Sequence, residues 1–355
     1  MPRTARSLPI YSGAPVDTLQ RPLRDVRLSV TDRCNFRCSY CMPAEIFGPD
    51  FAFLPRAELL TFEEIALVAR ELVALGARTL RITGGEPLVR RDLERLVALL
   101  RALDSSEALG DAPLDIALTT NGSLLAKLAA PLRAAGLNRI TVSLDSLNPA
   151  TFTRRSGSAL PLESVLEGIT AATAVGFTNI KLNAVIRRGV NNADVPALAE
   201  FAREGGHTLR LIEYMDVGSS NGWRLDEVVP ASEIPAQLHA RFRLEPLAPS
   251  RPGEVANRYR YLDGRGEIGL IASVSAPFCG DCTRARVSAD GHLYTCLFAS
   301  EGSDLKRYLR PLSDAAALHD ALHARWSARD DRYSEIRDSE TANRLPKVEM
   351  FRVGG

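Results

Sequence analysis

Three cysteines on one short segment constrain this chain more than any other feature of its sequence. Cys34, Cys38 and Cys41 have C-x3-C-x2-C spacing and follow the apolar stretch 26–30. Thiolates grouped in this way are the usual ligands of an iron–sulfur cluster. Three cysteines leave one iron of a [4Fe–4S] cluster without a protein ligand, and an open coordination position is typical of catalytic metal sites. We therefore predict a catalytic [4Fe–4S] cluster on this segment.

A disulfide and a zinc knuckle are the alternatives for this first cysteine set, Cys34, Cys38 and Cys41. Structural zinc sites have four ligands, and no histidine lies near these cysteines to complete them. The six cysteines of the chain form two groups instead of a dispersed framework. In a reducing compartment, such groups indicate metal or cofactor ligands and not disulfides.

A second cysteine set lies near the end of the chain. Cys279, Cys282 and Cys296 have C-x2-C-x13-C spacing, which predicts a second [4Fe–4S] cluster with an open iron. A zinc site with His292 as fourth ligand is the alternative. Arg284 and Arg286 lie two residues apart on a predicted strand and so share one face. Two guanidiniums beside a cluster indicate an anionic ligand, although a solvated strand face would give the same pattern.

Length and charge exclude several classes of function. The chain has 355 residues, a net charge of +1, and hydrophobic and charged fractions of 45% and 25%, which are typical of one large or two smaller globular domains. This charge argues against nucleic acid or an anionic membrane as a partner bound by bulk electrostatics. No apolar run has the length of a membrane span, and no signal core follows the first residues. We expect a cytoplasmic protein with no membrane partner.

Strand-like and helix-like stretches alternate along the first two thirds of the chain. Strands are predicted at 26–30, 79–83, 115–120, 140–144, 179–186 and 208–214, and amphipathic helices near 62–75, 90–103, 123–135, 162–175 and 193–204. This alternation predicts right-handed βαβ units and a parallel sheet. There are about six units, fewer than the eight that close a TIM barrel.

Chemically distinctive residues follow the predicted strands. They lie at 34–41, 83–87, 119–122, 143–146 and 213–215. Barrel enzymes build their sites at the carboxyl ends of the strands. We therefore predict an α/β fold with a partial (β/α)6 TIM-type barrel. A doubly wound sheet obeys the same rule, so this choice rests partly on the resemblance described below.

Four segments follow from these patterns. Residues 1–22 are predicted as a flexible N-terminal arm, or as a segment that packs at an edge, and residues 23–218 as the barrel. The turn-rich stretch 216–222 ends the alternation. Residues 219–340 are predicted as a C-terminal α+β region that carries the second cluster, with a helix near 313–329. Residues 341–355 form a tail that ends in two glycines.

The spacing of the first cysteine set, with aromatic Tyr40 just before its last member, resembles the radical S-adenosylmethionine (SAM) superfamily. Within it, the chain is similar to the GTP 3′,8-cyclase family of molybdenum cofactor biosynthesis. The segments that carry the resemblance are 27–34, 40–43, 81–87, 278–286 with Cys296, and 353–355. The resemblance runs from about residue 22 to the last residue. A match at several sites is far more specific than a lone motif.

The resemblance implies a reaction. The methionine part of SAM would chelate the open iron, and reductive cleavage would give a 5′-deoxyadenosyl radical that takes the 3′ hydrogen of GTP. Attack of C3′ on C8 and reduction would give (8S)-3′,8-cyclo-7,8-dihydroguanosine 5′-triphosphate, the substrate of cyclic pyranopterin monophosphate synthase. The family suggests a homodimer. The sequence does not identify the electron donor.

The resemblance also implies roles at single positions. The first cysteine set would hold the SAM cluster, and the open iron of the second would face guanine. Contacts to SAM are implied at Tyr40, Gly85, Glu86, Ser143 and Met215. Contacts to GTP are implied at Arg27, Arg81, Thr119, Lys181, Arg284, Ala285 and Arg286, and catalytic roles at Arg27, Arg284, Arg286, Gly354 and Gly355.

Some of these roles have plainer alternatives. Glu86 would accept from the amino group of SAM, but it could equally cap a helix. Arg81 and Lys181 alone would be ordinary barrel charges. A terminal pair of glycines is usually a frayed end, whereas in the family it reaches into the site.

Two other functions compete with this reading. A radical SAM enzyme that modifies peptides would usually carry more C-terminal cysteines and would have little need for clustered arginines. A non-catalytic iron–sulfur protein for electron transfer or sensing would not need two open irons or the loop at residues 84–87.

Overall fold

A twelve-stranded sheet forms the centre of the computed structural model, which describes residues 14–105, 113–239, 241–250, 253–337 and 346–354. The strands are β1 Asp25–Ser29, β2 Thr79–Thr83, β3 Asp115–Thr120, β4 Arg139–Ser143, β5 Lys181–Ile186, β6 Thr208–Glu213, β7 Leu244–Leu247, β8 Asn257–Tyr261, β9 Glu267–Ile271, β10 Arg284–Val287, β11 His292–Tyr294 and β12 Ser303–Asp304. Their order in the sheet is β12-β11-β10-β1-β2-β3-β4-β5-β6-β9-β8-β7.

Helices connect the strands of the first half and cover one face of the sheet. The α-helices are α1 Phe62–Ala74, α2 Leu93–Arg101, α3 Leu125–Ala134, α4 Pro149–Ser156, α5 Leu162–Ala174, α6 Val195–Glu204, α7 Glu233–His239, α8 Ala315–Ser327, α9 Tyr333–Ile336 and α10 Met350–Val353. None of the described helices combines the length and the apolar character that a membrane span requires.

The order of the first six strands decides between the two predicted sheets. Strands β1 to β6 are parallel, and each pairs with the next in the chain. A doubly wound sheet reverses its strand order at a switch point, which this sequential order does not do. Right-handed crossovers in one direction place every helix on the same face, so the sheet curls into a partial barrel. The predicted fold class is confirmed.

Alternation along the strands separates core from cavity. In β1, Val26 and Leu28 are buried in the hydrophobic core, whereas Arg27 lines a cavity. In β2, Leu80 and Ile82 are in the core, and Arg81 lines the same cavity. Because side chains alternate between the two faces of a strand, apolar residues meet the helices while polar residues point into the barrel.

The predicted C-terminal region extends the barrel at both edges. Strand β10 pairs in parallel with β1, with Arg27 opposite Arg286, and β9 pairs in parallel with β6, with Arg210 opposite Gly269. The hairpins β10–β11 and β8–β9 are antiparallel. These pairings satisfy the backbone groups that β1 and β6 would expose if the six-stranded barrel stood alone.

The predicted flexible arm, 1–22, is only partly described. Residues 1–13 lie outside the described residues. In the remaining part, Asp17 and Arg21 are each 2% exposed, and the side chain of Trp326 donates to the carbonyl of Arg21 at 3.1 Å. Residues 14–22 therefore pack against the C-terminal region, which corrects the prediction of flexibility for this part and matches its edge-packing alternative.

Helix α1 begins at a complete capping box. The Thr61 hydroxyl accepts from the backbone N–H of Glu64 at 3.1 Å, and Glu64 Oε2 accepts from that of Thr61 at 2.7 Å. These bonds satisfy two N–H groups that helix geometry leaves without partners. We expect Thr61→Ala to lower the free energy of unfolding by about 1 kcal/mol. Urea denaturation would measure the loss, and Thr61→Ser, which keeps the hydroxyl, should show little of it.

Candidate active site

Both cysteine sets line one cavity of about 300 Å³, the central cavity. Each of the six cysteines is a free thiol of intermediate exposure. The two sets are far apart in the sequence, and the barrel brings them to one space. This convergence is what a reaction that uses both sets requires.

The loop after β1 carries the first cysteine set. Its backbone is ordered by bonds from the N–H groups of Cys41 and Met42 to the carbonyl of Cys38 at 3.0 and 2.8 Å. Arg37 donates to the carbonyl of Cys34 at 2.7 Å, and the N–H of Phe36 donates to Cys34 Sγ at 3.3 Å. The loop is therefore fixed by its own hydrogen bonds.

The three thiols of this set fit a cationic inorganic group. Burial, and then the neighbouring Cys34 and Cys41, raise the pKa of Cys38 well above its usual value. Burial likewise raises the pKa of Cys34 to about 12. Thiolates crowded in a buried place repel one another, so the ionised form needs a metal group to neutralise it. An iron–sulfur cluster supplies that charge.

The second cysteine set begins in a single turn, residues 279–281, just before β10. The N–H of Phe298 donates to Cys296 Sγ at 3.5 Å. Burial raises the pKa of Cys282, but the guanidiniums of Arg284 and Arg329 outweigh it and lower this pKa to about 6. A thiol that ionises readily beside two cations suits metal ligation.

His292, the alternative zinc ligand, does not line the central cavity. Its Nδ1 lies 3.4 Å from Asp290 Oδ1, and hydrogen bonding to Asp290 raises the pKa of the imidazole. Asp290 Oδ2 also forms an ion pair with Arg352 Nη2 at 3.0 Å. Because His292 does not line the cavity that the three thiols share, it is not placed to complete a zinc site with the second set.

Arg27, Arg284 and Arg286 line the central cavity together with the two cysteine sets. Burial, then the charges of Arg286, Arg81 and Arg284, lower the pKa of Arg27. Burial and then Arg284 lower the pKa of Arg286 to about 9. Buried guanidiniums that repel one another need an anion to neutralise them, which a triphosphate would supply.

The other residues implied to contact GTP fall in different places. Arg81 lines the central cavity and donates to the hydroxyls of Thr119 and Thr141 at 3.2 Å each. Lys181 lines a second cavity of about 160 Å³ at the amino ends of β5, β6 and β9. Ala285 is wholly buried in the hydrophobic core. Its side chain lies opposite those of its two arginine neighbours because strands alternate, so it is not brought to the cavity.

All the residues implied to contact SAM line the central cavity: Tyr40, Gly85, Glu86, Ser143 and Met215. A Cβ at Gly85 would overlap the carbonyl oxygen of Arg33 and lie 2.6 Å from its carbon. Only glycine fits this close approach of the loop after β2 to the cysteine loop.

Glu86 is buried, and its carboxylate caps two turns. Oε1 accepts from the N–H of Leu88 at 3.0 Å and from the Thr120 hydroxyl at 2.7 Å, and Oε2 accepts from the N–H of Asn121 at 2.7 Å. The capping alternative for Glu86 is therefore observed. Burial raises the pKa of Glu86 to about 7, although these three bonds oppose the shift.

This shift has a consequence for stability. Because the pKa in the folded chain exceeds the usual value of 4.5, Glu86 stabilises the fold below about pH 4.5, and that contribution is lost as pH rises through 7. A shift of this size corresponds to about 3 kcal/mol. For the SAM-free protein, we expect the free energy of unfolding of the wild type to fall relative to that of Glu86→Gln as the pH rises from about 4.5 to 7. Denaturant titrations of both proteins at a series of pH values measure this difference. A difference that stays the same at every pH would contradict the prediction.

Arg155 is a site residue that the sequence analysis missed. It is 2% exposed, lines the central cavity, donates to Asp145 Oδ2 at 2.8 Å and lies 4.7 Å over the Tyr40 ring. It belongs to helix α4, which was not predicted. The signal was present, since Asn148 caps this helix by accepting from the N–H of Thr151 at 3.0 Å, and a proline follows the cap.

Arg210 was also missed. It is the residue on β6 that lines both the central cavity and the second cavity. Arg210 adds positive charge to the site. Its charge contributes, after burial and Arg139, to lowering the pKa of Arg81 to about 10. In the sequence it is one polar residue in an alternating strand, without a motif to mark it.

The C-terminal tail, residues 346–354, enters the site from outside the barrel. Met350 and Phe351 of α10 line the central cavity, and Arg286 donates to the carbonyls of Val353, at 3.2 Å, and of Gly354. The tail therefore meets an arginine implied to bind GTP. Gly355 lies outside the described residues.

The comparisons with known proteins agree with this geometry. A protein-family model described as the Radical SAM superfamily matches residues 28–202. A second protein-family model, described as Molybdenum Cofactor Synthesis C, matches residues 207–335. A solved structure, "Native anSMEcpe with bound AdoMet", aligns with a TM-score of 0.45 and 15% identity over 62% of this chain and 60% of that chain.

Curated relatives match over nearly the whole chain. A protein of Acidothermus cellulolyticus named GTP 3′,8-cyclase is 56% identical over 96% of this chain and 98% of its own. Proteins of that name from Xanthomonas campestris pv. campestris and Staphylococcus aureus are 51% and 46% identical, over 98% and 96% of this chain and 100% and 98% of their own. This chain belongs to the GTP 3′,8-cyclase family within the radical SAM superfamily.

Proposed function

We propose that the central cavity is where this chain carries out the GTP 3′,8-cyclase reaction of its family. The first cysteine set would hold the [4Fe–4S] cluster that binds SAM, and the second set the auxiliary cluster. The observation that carries the proposal is that six thiols and three arginines, Arg27, Arg284 and Arg286, line one cavity.

The bound groups supply the redox chemistry. The first cluster, held by Cys34, Cys38 and Cys41, would supply the electron that cleaves SAM, so that the 3′ hydrogen of GTP is abstracted and C3′ bonds to C8; the second cluster, held by Cys279, Cys282 and Cys296, would bind guanine. One further electron and a proton would complete (8S)-3′,8-cyclo-7,8-dihydroguanosine 5′-triphosphate.

The side chains of the cavity bind and orient the reactants. We assign Arg27, Arg284 and Arg286 to GTP, because an anionic substrate relieves the repulsion among these buried cations. Arg81 and Arg210 continue this cationic lining, and Lys181 lies in the adjoining cavity. Tyr40, Gly85, Glu86, Ser143 and Met215 are assigned to SAM.

The rest of the lining protects a reactive intermediate. Phe278, Phe298, Met350 and Phe351 contribute apolar surface to the cavity. Apolar walls exclude water and other hydrogen donors that would quench a radical before it reaches its target. The tail would close this lining, with Gly354 and Gly355 assisting cyclisation.

The test is anaerobic. The clusters are reconstituted, SAM and a strong reductant are added, and 5′-deoxyadenosine is quantified with and without GTP. Strong stimulation by GTP, with a cyclised guanosine product, is expected. Cleavage indifferent to GTP would favour a peptide substrate, and no cleavage by a chain with both clusters would favour electron transfer or sensing. A homodimer and consumption of the product by cyclic pyranopterin monophosphate synthase stay predictions from the family, and a cytoplasmic location stays a prediction from the sequence.

A further inference from the structure

A buried carboxylate lies behind the second cysteine set. The side chain of Asp17 is 0% exposed, and those of Arg21 and Arg329 are 2% and 1% exposed. Asp17 Oδ2 accepts from Arg21 Nε at 2.6 Å and from Arg329 Nη1 at 3.2 Å. Asp17 Oδ1 accepts from the N–H groups of Leu19 and Arg21 at 2.9 Å each. This carboxylate therefore has four hydrogen-bond donors.

Each arginine continues from Asp17 to the backbone of a cysteine. Arg21 Nη1 donates to the carbonyl of Cys279 at 2.6 Å, and Arg329 Nη1 donates to the carbonyl of Cys282 at 2.6 Å. One carboxylate thus orders two guanidiniums, and each guanidinium holds the carbonyl of one cysteine of the C-x2-C loop.

The segment around Asp17 is itself tied to this region. The backbone N–H and the hydroxyl of Thr18 donate to the carbonyl of Arg329 at 3.2 and 2.8 Å, and Arg21 Nη1 also donates to the carbonyl of Asp331 at 2.9 Å. Burying three charged groups is costly unless their hydrogen bonds are satisfied. Here the partners include the two cysteine carbonyls, so the charges are arranged around that loop.

Holding the carbonyls fixes the direction of the thiols. Two planar peptide groups meet at each Cα, so fixing their orientation limits the direction of the Cα–Cβ bond. Within the loop itself, the N–H of Cys282 donates to the carbonyl of Cys279 at 3.1 Å. The contacts from Arg21 and Arg329, together with a bond from the N–H of Gly280 to Glu335 Oε1 at 2.9 Å, hold this turn against the rest of the molecule.

We propose that Asp17 is a positioning residue for the auxiliary cluster, and that it acts by holding Arg21 and Arg329 against the Cys279–Cys282 loop. The N-terminal segment 14–22 is then part of the cluster's binding site. This inference rests on the proposed function, because it requires that the second cysteine set holds a cluster.

The experiment compares iron and sulfide per chain in the reconstituted full-length wild type and Asp17→Ala, with the spectrum of the reduced clusters by electron paramagnetic resonance. We expect the variant to lose about half of its iron, together with the auxiliary signal. Cleavage of SAM without GTP, which reports the first cluster, should persist. Glu71→Gln is the matched control, since Glu71 is also 0% exposed and pairs with His319 at 3.2 Å, away from the cysteine loops.

Arg21→Lys and Arg329→Lys give a second, milder test. Lysine keeps the charge but lacks the planar fork that joins carboxylate and carbonyl at once, so each should lose auxiliary iron or change its signal. These variants decide the matter if Asp17→Ala does not fold. Full iron and an unchanged spectrum in the variants would overturn the inference, whereas a wild type with one cluster would overturn the proposed function instead.

Discussion

Cys38→Ala is expected to abolish cleavage of SAM, whereas Cys296→Ala is expected to leave cleavage intact and abolish formation of cyclised GTP. Cys38 lies in the loop after β1 and Cys296 follows β11, and both line the central cavity. Because each belongs to a different set, each variant should lose one cluster. Quantifying 5′-deoxyadenosine and the cyclised product under anaerobic reduction separates the two effects.

The two variants serve as each other's control, since all six cysteines of the chain belong to one set or the other. Both lose one thiol of intermediate exposure, and each should retain about half of the iron. A Cys38→Ala protein that still cleaves SAM would contradict the assignment of the first set. A Cys296→Ala protein that still cyclises GTP would show that the second cluster is dispensable for the reaction.

The substitution Gly354→Ala is expected to have the second large effect, a loss of cyclisation. Gly354 has φ of +76°, and a Cβ there would overlap Thr83 Cγ2 and lie 2.9 Å from its hydroxyl oxygen. The variant would therefore push the tail away from Arg286, whose contact with the Gly354 carbonyl would be lost. We expect cyclisation to fall by about 100-fold, the effect of misplacing reacting groups by about 1 Å. The product formed per turnover of SAM is the measurement.

Thr83→Ala provides a matched test of the steric cause. It removes the two atoms that the new methyl group would meet first, so Gly354→Ala with Thr83→Ala should regain part of the lost activity relative to Thr83→Ala alone. The strain of an alanine at positive φ remains, so recovery is incomplete. If Gly354→Ala lowers cyclisation equally in the wild type and in Thr83→Ala, the tail does not act from a position beside Thr83.

The fold was predictable because it follows from local patterns. Period-two alternation in β1 to β6 and helical periodicity between them gave elements within a few residues of the observed ones. The convergence of both cysteine sets did not follow from the strand pattern. The first set follows the carboxyl end of β1, whereas Cys279 and Cys282 precede β10, which runs parallel to β1, so the second set lies toward the amino ends of these strands. Helix α4 was missed, although Asn148 and the following proline carry a helix-start signal.

The features that the sequence did not reveal are mainly contacts between distant parts of the chain. Asp17 and Arg329 are separated by most of the sequence, and no spacing rule connects them. His292 was an open alternative for zinc because its pairing with Asp290 depends on the turn between β10 and β11. The side chain of Ala285 lies in the core, as strand alternation applied strictly predicts, and its contact with GTP stays a prediction from the family.

The pairing of β10 with β1 and of β9 with β6 has a consequence for synthesis on the ribosome. The nascent chain completes β1 to β6 long before β9 and β10 emerge. Until then both margins of the curled sheet offer unpaired backbone groups to other chains, which favours misassembly. A fragment that stops after β6 would keep these margins permanently. The first cysteine set can therefore be synthesised early, but its scaffold is completed only by the last third of the polypeptide.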